Sequence, residues 1–223
     1  MSGLPVGFAL ARVHARHADR PTAAEWRRLD GARTAAQYLQ IARRTGLKPW
    51  LRGVAEEDPQ QVVELKLRAA FRRHVAEVAG WLPAEHRPAA RWIARLVDLP
   101  ALAHLHAGRP PQPWMDDDPV LAPFLDDPPA SPPFAEWLGR WRTLWPGPRR
   151  DPLAGRLGTA LRDTAVPGRA DAAAARLHWL FRTRVADAGG VAAYLGLVLD
   201  DLRRLAGGLA RRRPGERRHL EAA

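Results

Sequence analysis

The stretch Asp58–Pro83, DPQQVVELKLRAAFRRHVAEVAGWLP, decides the fold. Val63, Leu67, Phe71, Val75, Val78 and Leu82 recur every three or four residues, which draws one apolar stripe along a helix. Arg68, Arg72, Arg73 and Glu77 flank that stripe or lie on other faces. Asp58, Pro59 and Gln61 predict its start: a capping acid, a proline at the first helical position, then a capping-box partner. The helix is expected to stop near Gly80 or Trp81, because Pro83 cannot continue it.

The same signals extend to both sides. Thr22 with Glu25 has the spacing of a capping box, and Thr34 suits the cap of a segment ending near Thr45. Gly46 there suits a left-handed C-terminal position. Downstream, a helix is expected over about 84–98, with Pro88 in its first turns and Trp92, Ile93, Leu96 and Val97 inward. Pro100 restarts a short helix through His106. Ser131, as a cap, and Pro132 open another, where Phe134, Trp137, Leu138, Trp141, Leu144 and Trp145 share one face. Two longer segments follow, roughly 170–186 and 190–211. No period-two run and no Asn-Gly or Asp-Gly hairpin signals a strand. The expected fold class is therefore all-α, with helical bundle-like domains and a Pro-rich irregular connection.

Proline placement sets the expected domains. Twelve of the 21 prolines lie between Pro110 and Pro152. Within that stretch, Pro110–Trp137 carries six acidic residues and no Arg or Lys. The expected organisation is an N-terminal helical block over 1–108, an acidic Pro-rich linker over 109–133 and a C-terminal helical block over 134–223. Residues 1–108 carry 17 basic and 10 acidic side chains; residues 151–223 carry 13 and 8. The linker is expected to stay solvated between these basic blocks.

Composition narrows the chemistry. With no cysteine, disulfides, thiolate nucleophiles and Cys-ligated metals are excluded. The only serines are Ser2 and Ser131, and there is no P-loop, GxGxxG or GxSxG. His14 and His17 could share a helical face, whereas His104 and His106 point apart, and neither pair has a third ligand nearby in sequence. Asp116, Asp117 and Asp118 lack the spacing of a calcium loop. No catalytic residue, cofactor or metal site is expected. Residues 1–11 lack the basic start and long apolar run of a signal peptide, and the longest uncharged stretch, 188–199, is too short to span a bilayer. The formal charge of +11, almost all arginine, suits an acidic partner or a solvated surface equally. The tail Arg211, Arg212, Arg213, Arg217 and Arg218 is the densest basic run. Four of the nine tryptophans, Trp92, Trp137, Trp141 and Trp145, fall on predicted apolar faces, so core packing, or packing onto a partner helix, is expected before base stacking.

Several stretches resemble the V-type ATPase subunit d family, which has counterparts in the prokaryotic V/A-type enzymes. Phe8-Ala9-Leu10-Ala11-Arg12-Val13-His14-Ala15-Arg16 is similar to that family's opening Y-x-N-A-R-V-R-A helix. Leu29–Arg52 is similar to its next helix and variable turn, and Leu65–Gly108 to its long helix, broken here at Trp81-Leu82-Pro83. The family's D-x-x-N-L motif reads Asp98-Leu99-Pro100-Ala101-Leu102, without the asparagine. Tyr194-Leu195 followed by Asp201-Leu202-Arg203-Arg204-Leu205 resembles its Y-L…E-I-R-N-L helix, with Asp201 for the glutamate and Val198 where lysine is frequent.

The resemblance implies a shortened member of that family. Such a protein is a non-catalytic central-stalk subunit that links the rotor shaft to the membrane ring for proton or sodium transport. It implies partners that are protein subunits of a rotary ATPase, a cytoplasmic location peripheral to the membrane, no small-molecule substrate and no nucleic acid. Arg12, Arg16, Asp201 and Arg203 are the expected partner contacts, or else internal ion pairs between the first and last helices. Two alternatives stand beside it: a basic helical nucleic-acid-binding or regulatory protein, and an enzyme with a pocket between helices.

Overall fold

The computed structural model describes residues 6–147, 152–166, 168–184 and 186–213. All regular structure among them is helical, as expected. The α-helices are α1 (Val6–Ala18), α2 (Ala23–Asp30), α3 (Ala35–Ala42), α4 (Gln60–Gly80), α5 (Arg87–Trp92), α6 (Leu99–His106), α7 (Pro133–Leu144), α8 (Pro152–Thr164), α9 (Ala170–Thr183) and α10 (Ala188–Ala210). Short 3-10 turns occupy Lys48–Leu51, Ile93–Val97, Pro113–Met115 and Ala122–Phe124. Arg217, Arg218 and residues 1–5 lie outside the described residues.

The local signals explain most of the starts. Glu25 N–H donates to the Thr22 hydroxyl at 3.2 Å while Thr22 N–H donates to the Glu25 carboxylate at 2.8 Å, a complete capping box. The Thr34 hydroxyl accepts from Gln37 N–H at 3.1 Å. Two expected caps are corrected. Asp58 does not cap α4; its carboxylate accepts instead from Ala55 N–H at 2.7 Å and from Lys66 at 2.6 Å. Ser131 does not cap α7, whose N-terminal flanking residue is Pro132, with no side-chain bond. The helix expected over 84–98 is split, because α5 tightens into the Ile93–Val97 3-10 turn.

Gly46 is corrected too. No positive φ occurs there. A Cβ at Gly46 would instead overlap the Asp19 carbonyl, so glycine serves a close approach between the α1–α2 turn and the loop after α3. Gly46→Ala is expected to cost about 1–3 kcal/mol by forcing two backbone segments apart. A urea midpoint unchanged from the parent protein would contradict that account.

The core is built around α10. Every residue from Ala188 to Leu199 is buried, and the helix packs on α1, α3, α4, α8 and α9. The apolar cluster runs continuously from Ala9 on α1 through α4 and α7 to Leu209 on α10, so the two basic blocks share one core. The N-terminal stripe is deeply buried as drawn, including Val63, Phe71, Val75 and Val78. A fully buried Leu or Phe of this kind contributes on the order of 1.5–3 kcal/mol.

The expectation of a solvated linker is corrected as well. Met115 and Leu121 pack on Ala101, Leu102 and Leu105 of α6 as a small second cluster. Asp118 lies beneath the surface and accepts from Arg72 of α4 at 2.9 Å. A carboxylate carried by a proline-rich segment has thus found a cation in the N-terminal block, which fixes the segment to it.

Candidate functional site

The residues singled out in α1 and α10 sit on two different sides of the last helix. Arg16 and Asp201 line a polar cleft of about 510 Å³ between the end of α1, the Gly46–Arg52 loop, α4 and α10. Arg12 stands beside it, its guanidinium 4.8 Å from the Trp81 ring centroid and 4.9 Å from that of Phe8. Arg203 is not with them. Two residues on from Asp201, or about 200° around the helix, it lines a separate cleft.

Helix geometry brings the polar cleft together. Arg16 lies close to the end of α1 and meets α4 through Glu77, at 2.8 and 3.2 Å. Its Nη1 also lies 3.2 Å from His74 Nδ1, and His74 Nε2 lies 3.1 Å from the Tyr194 hydroxyl. Because Arg16 can only donate, Nδ1 must accept, so the imidazole proton sits on Nε2 and is donated to Tyr194. Asp201 accepts two hydrogen bonds from the Arg20 guanidinium, at 2.6 and 3.0 Å, and Arg20 also donates to the Leu197 carbonyl at 3.1 Å. Arg16 and Asp201 are therefore joined internally to α4 and to the end of α1.

Sequence reasoning missed Arg20, His74, Glu77 and Tyr194 as partners. A signal existed for two of them. Arg20 follows Arg12 and Arg16 at four-residue steps, and His74 precedes Glu77 by three, so each continues a helical face.

Burial sets the protonation states. Desolvation, with the Arg16 charge beside it, lowers His74 to about 4. Burial also raises the Tyr194 hydroxyl well above its usual range. Burial pushes Asp201 up while the Arg20 hydrogen bonds pull it down. The hydrogen bond from Arg16 holds Glu77 below the ordinary carboxylate range. At neutral pH the imidazole is neutral, with both nitrogens engaged, so it is not placed to act as a base or a metal ligand. Among the described residues no group of three potential ligands is placed to hold a metal ion. At the mouth, Arg52 and Arg73 are exposed and pair with no carboxylate among the described residues. With exposed Asp19 also in the lining, four arginines face three carboxylates, which leaves a small positive excess over an ion-paired floor and suits docking of an acidic group.

The pair of histidines on α1 has a different role from metal binding. His14 and His17 both pack on the Phe181 ring, with centroids 4.5 and 4.3 Å away. Burial lowers His17 to about 4, and Arg20 adds to the shift.

The network can be probed by substitution and by acid. Asp201→Asn is expected to cost about 2 kcal/mol, since the amide keeps one acceptor but turns its NH2 toward Arg20. Chemical denaturation measures it, and a loss under 0.5 kcal/mol (about a factor of two in the equilibrium) would contradict the pairing. In acid, His17 and His74 bind protons more readily unfolded, near pH 6.5, than folded, near 4. Their contribution is complete above pH 6.5 and is lost as pH falls towards 4. Asp200, raised to about 6 by burial, acts in the opposite sense below that value. His74→Gln is expected to cut the fall of the urea midpoint between pH 7 and 5 by roughly a third to a half. An unchanged pH profile in that variant would rule out a neutral buried His74.

Comparison with protein-family models, with curated proteins and with solved structures returns no match for this chain.

Proposed function

We propose that the chain is a non-catalytic central-stalk subunit of a V/A-type rotary ATPase. It would link the rotor shaft to the membrane ring for proton or sodium transport. One observation carries the reading. The two stretches that resemble the family's opening and closing helices, 8–16 and 194–205, are about 180 residues apart in sequence, yet they lie on α1 and α10, which pack together. The Arg20–Asp201 pair joins the end of α1 to α10. A coupler needs a stiff unit with a charged docking face. The ion-paired floor supplies the first, and Arg52 and Arg73 at its mouth supply the second. No helix among the described residues is long and apolar enough to cross a membrane.

The test is affinity purification of the tagged chain from detergent-solubilised membranes of its native cells. Recovery with ATPase catalytic, shaft and ring subunits is expected. Recovery of the chain alone, while those subunits are present in the same membranes, would overturn the proposal.

A second reading, nucleic-acid binding, has one observation in its favour. Trp179, half-exposed on α9, lies with Arg142, Arg156 and Arg176 around a groove lined by no carboxylate among the described residues. An exposed indole among guanidinium groups is suited to stacking a base and contacting phosphates. Arg176 is partly engaged already, 3.6 Å from Asp163. Binding of single-stranded RNA or DNA that weakens steeply with salt and is lost in Trp179→Ala would favour this reading.

A further inference from the structure

On the side of α10 away from Asp201, a second cleft of about 430 Å³ opens between α4, the end of α8, the start of α9 and α10. Its walls include Leu67 of α4, Val97 of the 3-10 turn, and Leu199 and Leu202 of α10. All four are aliphatic, so the part of each left open to the cleft, 2–8%, is apolar.

Two arginines also line it, Arg68 and Arg203. Arg203 makes no hydrogen bond or ion pair with any described residue, and Asp200 acts on it only through its field. Arg68 keeps one buried Nη1 without a hydrogen-bond acceptor. The nearest carboxylate oxygen, Asp118 Oδ2, is 3.9 Å away and already accepts from Arg72 at 2.9 Å. The Arg68 guanidinium lies over the Trp114 ring at 4.5 Å. Burial lowers both groups, Arg203 to about 10. Holding two desolvated guanidinium groups with unused donors is costly unless an anion meets them.

Charge and shape restrict that anion. Glu64 on the rim, which accepts from Gln60 at 3.1 Å, offsets one of the two positive charges. The remaining imbalance suits a monoanion better than a dianion such as phosphate. The planar guanidinium fork matches a carboxylate, and the aliphatic wall matches an unbranched chain. The size lies within the range of small-molecule sites.

We propose that this cleft binds a monoanionic carboxylate with an unbranched apolar tail, of the medium-chain fatty-acid class, its head on Arg203 and Arg68 and its tail against Leu67, Val97, Leu199 and Leu202. The site does not depend on the coupling reading, and either can fail alone.

The test is calorimetric titration of the full chain with decanoate below its micellar range. Decanol and inorganic phosphate serve as controls. Saturable one-to-one binding of decanoate is expected, with decanol and phosphate at least roughly tenfold weaker. Arg203→Gln should weaken decanoate by roughly tenfold or more without lowering the thermal midpoint, because Arg203 makes no hydrogen bond to a described residue and its burial without an anion is itself costly. Ala206→Phe, which fills the cleft from α10 but keeps both arginines, should abolish binding. Decanol as tight as decanoate would reduce the site to an apolar sink, and phosphate as tight would reduce it to bare charge. Either result overturns the proposal. So does absence of decanoate binding at millimolar concentration, or full affinity in both variants.

Discussion

Arg72→Met is expected to destabilise the protein by about 3–5 kcal/mol, because it removes the one hydrogen-bonded cation from two buried carboxylates at once. Arg72 donates to Asp98 and to Asp118, and each of those side chains is only 1% exposed. Asp98 stands between the Ile93–Val97 turn and α6, where it makes no helix-capping bond because its carboxylate is turned to Arg72. Burial raises its affinity for a proton, and the Arg72 charge opposes that rise. Removing the guanidinium removes the largest part of that opposition and leaves Asp98 only the longer contact to Arg95, at 4.0 Å, so Asp98 is expected to take up a proton or draw in water. Asp118 loses its hydrogen bond to α4 and keeps only the longer contact to Arg68, so the ionic tie of the 109–133 segment to the N-terminal block weakens. Two readouts separate the effects. Chemical denaturation gives the global loss, and amide exchange across 114–125 reports loosening of the second cluster beyond it. Arg68, 3.9 Å from Asp118, is the neighbour able to swing in, so Arg68→Met/Arg72→Met marks the upper end of the cost. Arg72→Met with Asp98→Asn and Asp118→Asn should recover most of the loss, since no buried carboxylate is then left without its cation. A single variant within 1 kcal/mol of the parent would show that water already serves these carboxylates.

That cluster also marks a limit of what the sequence reveals. The α4 stripe, the Thr22–Glu25 box and the α7 face are local patterns; each is set by residues a few positions apart, and each is found as drawn. The burial of Asp118 is not local. Asp116, Asp117 and Asp118 are chemically alike in sequence, and which one turns inward is decided by Arg72, 46 residues earlier. The same holds for the polar cleft. Arg16 and Asp201 are legible as charged positions on the first and last helices, but their partners Glu77 and Arg20 depend on how α1 crosses α4 and α10. Arg203 shares a motif with Asp201 and still belongs to another site, because a two-residue step crosses a helix rather than following its face. Helix α8 is the element the sequence hides. Gly155 and Gly158 weaken its helical signal, and it begins at Pro152, in the stretch where proline suggests a break. The physical reason for one of those glycines is a tryptophan on the neighbouring helix.

Trp141→Ala is expected to cost about 3–5 kcal/mol. The indole is fully buried, stacked on Trp137 at 5.6 Å and tilted against Trp145 at 5.1 Å, and its Nε1 donates to the Ala154 carbonyl of α8 at 3.1 Å. It rests on Gly158, where an added Cβ would lie 2.6 Å from Nε1 and 2.9 Å from a Leu138 methyl. The substitution removes the ring and the α7–α8 hydrogen bond, and leaves a cavity that the rigid helix pair cannot close. The glycine provides the decisive comparison. Gly158→Ala in the parent should be destabilising, because the clash outweighs the roughly 1 kcal/mol by which alanine surpasses glycine inside a helix. In the Trp141→Ala background the clash with the indole is gone, and the same change should become neutral or stabilising. The two effects must therefore fail to add, with a coupling of at least about 1 kcal/mol in a double-mutant cycle. Additive losses would mean that α8 holds its position without the indole. Strong coupling would mean that α7 sets the seat of α8, and that the glycine which hides this helix in the sequence is the residue that lets it dock.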